Sequence, residues 1–189
     1  MTTRSKEDYL KNIYHISEEG GKVNTGSLAT ALSISPASVS EMVNKLSKEG
    51  LIHNKPYHGF ELTGNGRKIS LNLIRKHRLL EVFLQEHLHY EWDQVHEEAE
   101  VLEHVCSEMF INKLEEYLGY PKFDPHGDPI PDKELNIAPT HYKLLLNTEP
   151  GREYTIAKVK DSSIEILQYL TKIGIKLNSK IILSEKIEF

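Results

Sequence analysis

The stretch Asp93 to Cys106, reading DQVHEEAEVLEHVC, constrains the fold of this chain more than any other. Wound as a helix at about 100° per residue, it sets His96, Glu100, Glu103 and His104 at roughly 0°, 40°, −20° and 80°, on one narrow strip. Val95, Ala99, Leu102 and Cys106 form the adjacent apolar strip. Carboxylates and imidazoles placed beside a buried face, and not opposite it, are aimed at something inside the molecule. Mixed oxygen and nitrogen donors of this kind suit a divalent Mn, Fe, Zn or Ni ion. The plainer reading, acidic residues four apart on a solvated face, sends the same groups outward, and the rest of the chain decides between them.

A chain of 189 residues has ample length for one or two domains with a core. Its single cysteine excludes a disulfide framework and fits a reducing compartment. No apolar run approaches the roughly 18 residues of a membrane span, and MTTRSKEDYL is charged where a signal peptide is apolar. A cytoplasmic protein, with no membrane partner, is expected. The net charge of −5 is unevenly divided. Residues 1 to 78 hold 12 Lys and Arg against 7 Asp and Glu, leaving 11 against 21 for the remainder. A basic first third followed by an acidic remainder suggests a nucleic-acid-binding module joined to one that takes up cations.

Along the chain, Ser5 and Asp8 form an S-x-x-D capping box ahead of Tyr9, Leu10, Ile13, Tyr14 and Ile16, predicting a helix over 5–18 that ends at Gly20-Gly21. Thr25 is expected to cap a short helix to Leu32, with a turn at Ser33-Ile34. Ser35 then caps a third helix whose first residue is Pro36, where a missing N–H costs nothing. Two short helices joined by a tight turn make a helix-turn-helix. On the third helix Val39, Met42, Val43 and Leu46 face one way, while Ser38, Ser40, Asn44 and Lys45 face the other. Small hydroxyls and an amide near a helix N-terminus suit phosphates and base edges in a major groove, so Ser35, Pro36, Ala37, Ser38, Ser40, Asn44, Lys45 and Lys55 are candidate DNA contacts. Lys48, Arg67, Lys68 and Lys76 are further candidates for phosphate. Residues 51–57 and 60–62 around His58-Gly59 read as a hairpin, in the position of a wing. The competing reading of this segment is a small helical domain that binds another protein.

Thr63 and a Gly64-Asn65-Gly66 turn lead to a long helix over 67–86, on which His77 and Glu81 stack one turn apart. Alone, that pair reads as a surface contact. An amphipathic helix over 109–118 has more apolar positions than one small domain can cover, which suggests a two-fold homodimer suited to a palindromic operator. PKFDPHGDPIP, 121–131, has four prolines in eleven residues and cannot be helical, yet holds Asp124, His126 and Asp128. Residues 132–146 look like a linker with some helical tendency. Short β-type runs at 154–159 and 180–183 enclose an amphipathic helix over 163–173. This small β-rich module is expected to be abbreviated or cut, since the chain stops before a barrel of the usual strand count closes.

With KEDYLKNIY at 6–14, SPASVSEMVNKLSKEGLI at 35–52, RKHRLLEVFL at 75–84, VHEEAEVLEHV at 95–105 and PHGDPIP at 125–131, the sequence resembles the diphtheria toxin repressor family of iron- and manganese-dependent transcriptional regulators, and its manganese-type repressors in particular. The resemblance covers nearly the whole chain. It implies a mainly α protein with an N-terminal winged helix-turn-helix DNA-binding domain (1–72), a helical metal-binding and dimerisation domain with a linker (73–146), and a partial SH3-like domain (147–189). It further implies a primary metal site of Asp8, Glu100, Glu103 and His104 that His77 can join. Where iron-type members carry Met and Cys, this chain has Asp8 and Glu100, hard oxygens that favour Mn(II), with Fe(II) second. A second site matches Glu81, Asp124, His126 and Asp161, with Asp124 standing where the pattern commonly has Cys. The iron-type alternative is His77, Glu81 and His96, and the choice stays open. Lys11, where small two-domain manganese regulators carry Glu, argues against their binuclear cluster. Cys106 lies outside the ligand strip and is expected to be a small buried residue.

The function this implies is a repressor of metal-uptake genes whose grip on double-stranded operator DNA is activated by Mn(II) or Fe(II). A winged-helix regulator of the multidrug-resistance type, sensing a small organic ligand, is the alternative. A metal-dependent hydrolase fits poorly, because no nucleophile-base pair or Gly-rich phosphate loop accompanies the ligands.

Overall fold

The computed structural model describes residues 3–55, 59–160 and 163–186. The chain divides into two compact units, with the boundary between Arg75 and Lys76.

In the first unit, α1 (Arg4–Glu18), α2 (Thr25–Leu32) and α3 (Pro36–Lys48) precede a two-stranded antiparallel sheet of β1 (Ile52–Lys55) and β2 (Gly59–Leu62). Ile52 pairs with Leu62 and Lys55 with Gly59. Residues 56–58, including His58 of the expected hairpin tip, lie outside the described residues. Tyr9, Leu10 and Ile13 of α1, Leu28 of α2, Val39, Val43 and Leu46 of α3 and Ile52 of β1 close one apolar core. Burial of this shared face, at roughly 25 cal/mol per Å² of apolar surface, is what holds three short helices that would be marginal alone.

Two caps differ from expectation. Thr3, not Ser5, precedes α1 and makes no side-chain cap bond, so Ser5 lies inside the helix. Asn24, not Thr25, caps α2: its Oδ1 accepts from the Ser27 N–H at 3.0 Å while the Ser27 hydroxyl accepts from the Asn24 N–H at 2.9 Å. Asparagine with a serine three residues on satisfies two end amides reciprocally, which Thr25 cannot do. The turn into α3 passes through Ser33 at φ 54°, and the Ile34 N–H closes back on the Ala29 carbonyl at 3.0 Å. Ser35 caps α3 as expected, accepting from the Ser38 N–H at 3.1 Å.

The sheet is seated through Gly59. The Phe60 N–H donates to the Val23 carbonyl at 2.9 Å, and a Cβ on Gly59, whose φ is 95°, would collide with that same oxygen. Gly64, Asn65 and Gly66 do not form a turn. They are the first residues of α4 (Gly64–Leu88), started by Thr63, whose hydroxyl oxygen accepts from the Gly66 N–H at 3.1 Å.

In the second unit the remainder of α4 packs with α5 (Val95–Leu102) and α6 (Glu108–Tyr117) around Leu79, Leu80, Val82, Leu84, Val95, Ala99, Ile111, Leu114 and Ile130. The expected helix over 93–106 is shorter. It stops at Leu102 because the Val105 and Cys106 amides both turn back to the Leu102 carbonyl and Ser107 then caps α6. Cys106 is half-buried against this core, less enclosed than expected. Residues 132–144 form no helix; the expected helical tendency is confined to one 3-10 turn, Leu145–Asn147. After it come β3 (Glu153–Thr155), α7 (Ile164–Lys172) and β4 (Lys180–Ile182), with Glu153 paired to Ile182 and Thr155 to Lys180. The strands are shorter than the runs in the sequence. Among the described residues no helix is long and apolar enough to cross a membrane.

Candidate metal centre

Three parts of the second unit bring ligand-type side chains together. α4 supplies His77 and Glu81, one turn apart on its inner face. α5 and the turn after it supply His96, Glu100, Glu103 and His104. The proline-rich loop supplies Asp124 and His126.

His77 stands in the middle. Its Nδ1 lies 2.6 Å from Glu103 Oε2 and 3.8 Å from Glu100 Oε2, and its Nε2 lies 3.1 Å from both Glu81 Oε1 and His96 Nδ1. His104 Nε2 is 3.3 Å from Glu103 Oε1. The helical strip read from the sequence is therefore continuous in space up to Glu81. Within it, Glu100, Glu103 and His104 have donor atoms within 4.8 Å of one another, as do His77, His96 and Glu100. A third such set is Glu81, Asp124 and His126, all three buried. Asp8, expected in the primary site, lies on α1 in the first unit. Asp161, expected in the second, lies outside the described residues.

The loop is built to hold its two ligand-type residues still. Asp124 Oδ1 accepts from the backbone N–H groups of His126 and Asp128, both at 2.9 Å, and the Asp124 N–H donates to the Asp128 carbonyl at 2.9 Å. Gly127, at φ 91°, completes the turn where a Cβ would collide with the Ala157 carbonyl. Arg78 clamps the loop from α4: its guanidinium donates to the Pro129 carbonyl at 2.6 Å, to Asp128 Oδ1 at 3.1 Å, and approaches Asp124 Oδ2 at 3.4 Å. Asp128, a potential ligand by sequence, is instead an ion-pair partner of Arg78 and of Lys158 at 2.6 Å. Arg78 and Lys158 carry no ligand signature, and only the adjacency of Arg78 to His77 hinted at a role.

The charges divide accordingly. Burial first, then the negative charge of Glu81, pushes the Asp124 carboxyl up to about 7. Burial also opposes ionisation of Glu81, yet the charge of His77 and the hydrogen bonds from His77 and His96 counter it, and that carboxylate is held below the usual range. One of the two neighbouring acids thus stays ionised while the other resists ionisation.

His126 tests whether this set fits a cation. Its Nε2 lies 2.7 Å from the Trp92 carbonyl, which can only accept, so Nε2 carries the proton and Nδ1 of the neutral ring keeps its lone pair. Nδ1 is buried, finds no hydrogen-bond partner among the described residues, and faces Glu81 Oε1 at 3.8 Å. Two lone-pair atoms opposed inside a protein are unfavourable unless something positive lies between them. A carbonyl holding the far ring nitrogen is also the usual way a ligating imidazole is oriented. The residues fit a divalent ion.

On the first unit, Pro36, Ala37, Ser38, Ser40, Asn44 and Lys45 are exposed on α3 opposite its buried Val39, Val43 and Leu46, and the capping Ser35 is exposed as well. The Ser40 hydroxyl donates to the Pro36 carbonyl at 2.9 Å, within its own helix. Lys55 ends β1. Arg67 pairs with Glu18 at 3.3 Å, and Lys76 is engaged with the Cys106 carbonyl at 2.9 Å and with Glu108, so both already have protein partners.

A helix-turn-helix with a following two-stranded sheet, joined to a helical unit with a carboxylate-imidazole cluster, defines the class of winged-helix regulators with a metal-binding domain. Residues 1–60 match the iron dependent repressor N-terminal DNA binding domain, and residues 63–132 match the iron dependent repressor metal binding and dimerisation domain. The chain belongs to the diphtheria toxin repressor family of iron- and manganese-dependent transcriptional repressors. It is 36% identical over 120 residues to the HTH-type transcriptional regulator MntR of Bacillus subtilis, which covers 64% of this chain and 84% of that protein. It is 37% identical over 134 residues to the iron-dependent repressor IdeR of Mycobacterium tuberculosis, covering 70% of this chain but 58% of that one. A manganese-dependent transcriptional repressor in complex with manganese superposes with a TM-score of 0.88 at 38% identity, over 96% of this chain and 84% of that one. ScaR with bound Zn2+ superposes at 0.84 and 38%, over 97% and 85%. Family membership favours the metal-responsive reading over the multidrug-resistance type.

Proposed function

We propose that this protein is a cytoplasmic transcriptional repressor, not an enzyme, that binds double-stranded operator DNA as a homodimer when Mn(II), or Fe(II) second, is plentiful. The observation that carries this reading is the convergence of His77, Glu81, His96, Glu100, Glu103, His104 and His126 in the unit that follows a winged helix. Hard carboxylate oxygens with one or two imidazoles suit Mn(II) and Fe(II) as donors. The division into 1–72, 73–146 and 147–189 is part of the same proposal.

Glu100, Glu103 and His104, with Asp8 of α1, are the primary ligands, and His77, whose Nδ1 lies 2.6 Å from Glu103 Oε2, joins them. Glu81, Asp124 and His126, with Asp161, are the secondary set, and His96 is its alternative member. A divalent cation supplies positive charge that offsets the repulsion among these carboxylates and links α1 to the turn after α5. Ser35, Pro36, Ala37, Ser38, Ser40, Asn44, Lys45 and Lys55 then face the operator, Ser35 through the N-terminus it caps. The dimer is supported by α6 and the turn before it, where Val105 and Met109 are each 75% exposed and Tyr117 is 65% exposed.

A gel-shift titration of operator DNA tests this. Affinity is expected to rise about 5- to 150-fold when Mn(II) replaces chelator, the range usual for coupled binding. Equal affinity in both conditions overturns it.

A further inference from the structure

Trp92 touches the Glu81–Asp124–His126 group with its backbone and α7 with its side chain. Its carbonyl receives the His126 Nε2 proton at 2.7 Å, and its ring stacks on the His126 ring with centroids 6.2 Å apart. Its indole N–H donates to the Thr171 hydroxyl oxygen at 2.7 Å. That hydroxyl donates in turn to the Leu167 carbonyl at 3.0 Å, so it has one role as donor and one as acceptor, both filled. Gln168, three residues earlier on the same helix, donates to Asp93 Oδ2 at 3.0 Å. The main chain of His126 is held from the same C-terminal segment, its carbonyl accepting from the Val159 N–H at 2.9 Å. Trp92 is 6% exposed and Leu167 beside Thr171 is 1% exposed, so the Trp92 end of the contact is enclosed while Thr171 and Gln168 lie on the exposed side of α7.

We propose that Trp92 is a positioning residue through which docking of α7 and metal binding at Glu81 and His126 are coupled. With α7 docked, Thr171 fixes the Trp92 peptide, and that carbonyl fixes the ring and tautomer of His126, keeping the Nδ1 lone pair on Glu81. With α7 loosened, the carbonyl is no longer held and His126 can turn. Coupling is reciprocal, so an ion at Glu81 and His126 tightens α7 by the same factor. This rests on reading that group as a metal site.

The test uses the full chain and Mn(II) alone. Unbound Mn(II) is counted by electron paramagnetic resonance during titration, and hydrogen exchange of the α7 amides is followed with and without metal. Thr171→Val removes the acceptor at constant shape and is expected to weaken one Mn(II) class about five- to tenfold, the range for one hydrogen bond acting on a ligand's orientation. The other class stays unchanged. Thr171→Ser, which restores the hydroxyl, is expected to bind as the parent does. Trp92→Phe, which removes the N–H and keeps an aromatic ring, is expected to repeat the Thr171→Val result should valine disturb the helix. Mn(II) is expected to slow α7 exchange in the parent and not in Glu81→Gln. Parent-like Mn(II) binding in both Thr171→Val and Trp92→Phe overturns the coupling while leaving the site standing. A Glu81→Gln protein that binds as the parent does shows instead that the site reading itself is wrong, and the coupling falls with it.

Discussion

The two groups of ligand-type side chains in the second unit are built on different plans. Glu81, Asp124 and His126 are all buried and are held by non-ligand groups: the backbone amides around Asp124, the Trp92 carbonyl on His126, the Arg78 clamp on the loop. Glu100, Glu103 and His104 come from the last turn of an eight-residue helix and the turn beyond it, with the side chains of Glu103 and His104 buried and that of Glu100 32% exposed. Donors already fixed lose little freedom when an ion arrives, so binding there changes the protein little. At the helix end Glu103 is already held by His77 while Glu100 is partly exposed, so an ion bound there would have a side chain left to order, and ordering is what a switch requires. On the proposed function, the contrast would give sensing to the helix-end group and support to the loop group.

The largest expected effect tests that assignment directly. Glu103→Gln combined with His104→Ala should make operator affinity the same in Mn(II) as in chelator, a loss of the whole 5- to 150-fold response, with circular dichroism unchanged. A surviving response would reverse the roles of the two groups. Glu81→Gln should come next: Mn(II) bound per protomer, measured by elemental analysis after dialysis, falls by one ion, and the operator response weakens about tenfold and no more. A complete loss of response would mean that the loop group, not the helix-end one, is the sensor.

A smaller effect follows from the proton on Asp124. Its folded value of about 7 lies above the ordinary 3.8, so the stability it contributes to the metal-free protein is complete below 3.8 and lost as pH rises through about 7. An ion at this group displaces the proton. Mn(II) affinity there should therefore rise up to about tenfold from pH 6 to pH 7 and level off above, by calorimetry in two buffers of different ionisation enthalpy. A pH-independent affinity would show that Asp124 takes no part. The smallest effect belongs to Cys106→Ser. The sulfur belongs to none of the three ligand groups, so Mn(II) affinity should stay within about twofold; a larger fall would bring the thiol into the site.

The sequence carried the parts that depend on side-chain periodicity. Ser35-Pro36 marks the start of α3, and the positions 77, 81, 96 and 100 follow from helical spacing, with 103 and 104 in the turn just past the end of α5. What it did not carry is the accounting of backbone groups. Asn24 displaces Thr25 as a cap because a second side chain, Ser27, returns the bond. Gly64 to Gly66, which look like a turn, enter α4 because Thr63 receives the Gly66 amide. The Asp124 oxygens serve a turn and an arginine as much as any ion, and the orientation of His126 is set by a carbonyl, which no residue type announces.

Trp92 is the only tryptophan in 189 residues, and it stacks on His126. Excitation at 295 nm would therefore interrogate one address in the molecule, and a paramagnetic ion lodged beside that imidazole would dim the emission without any attached dye. The molecule carries its own optical gauge for the loop group.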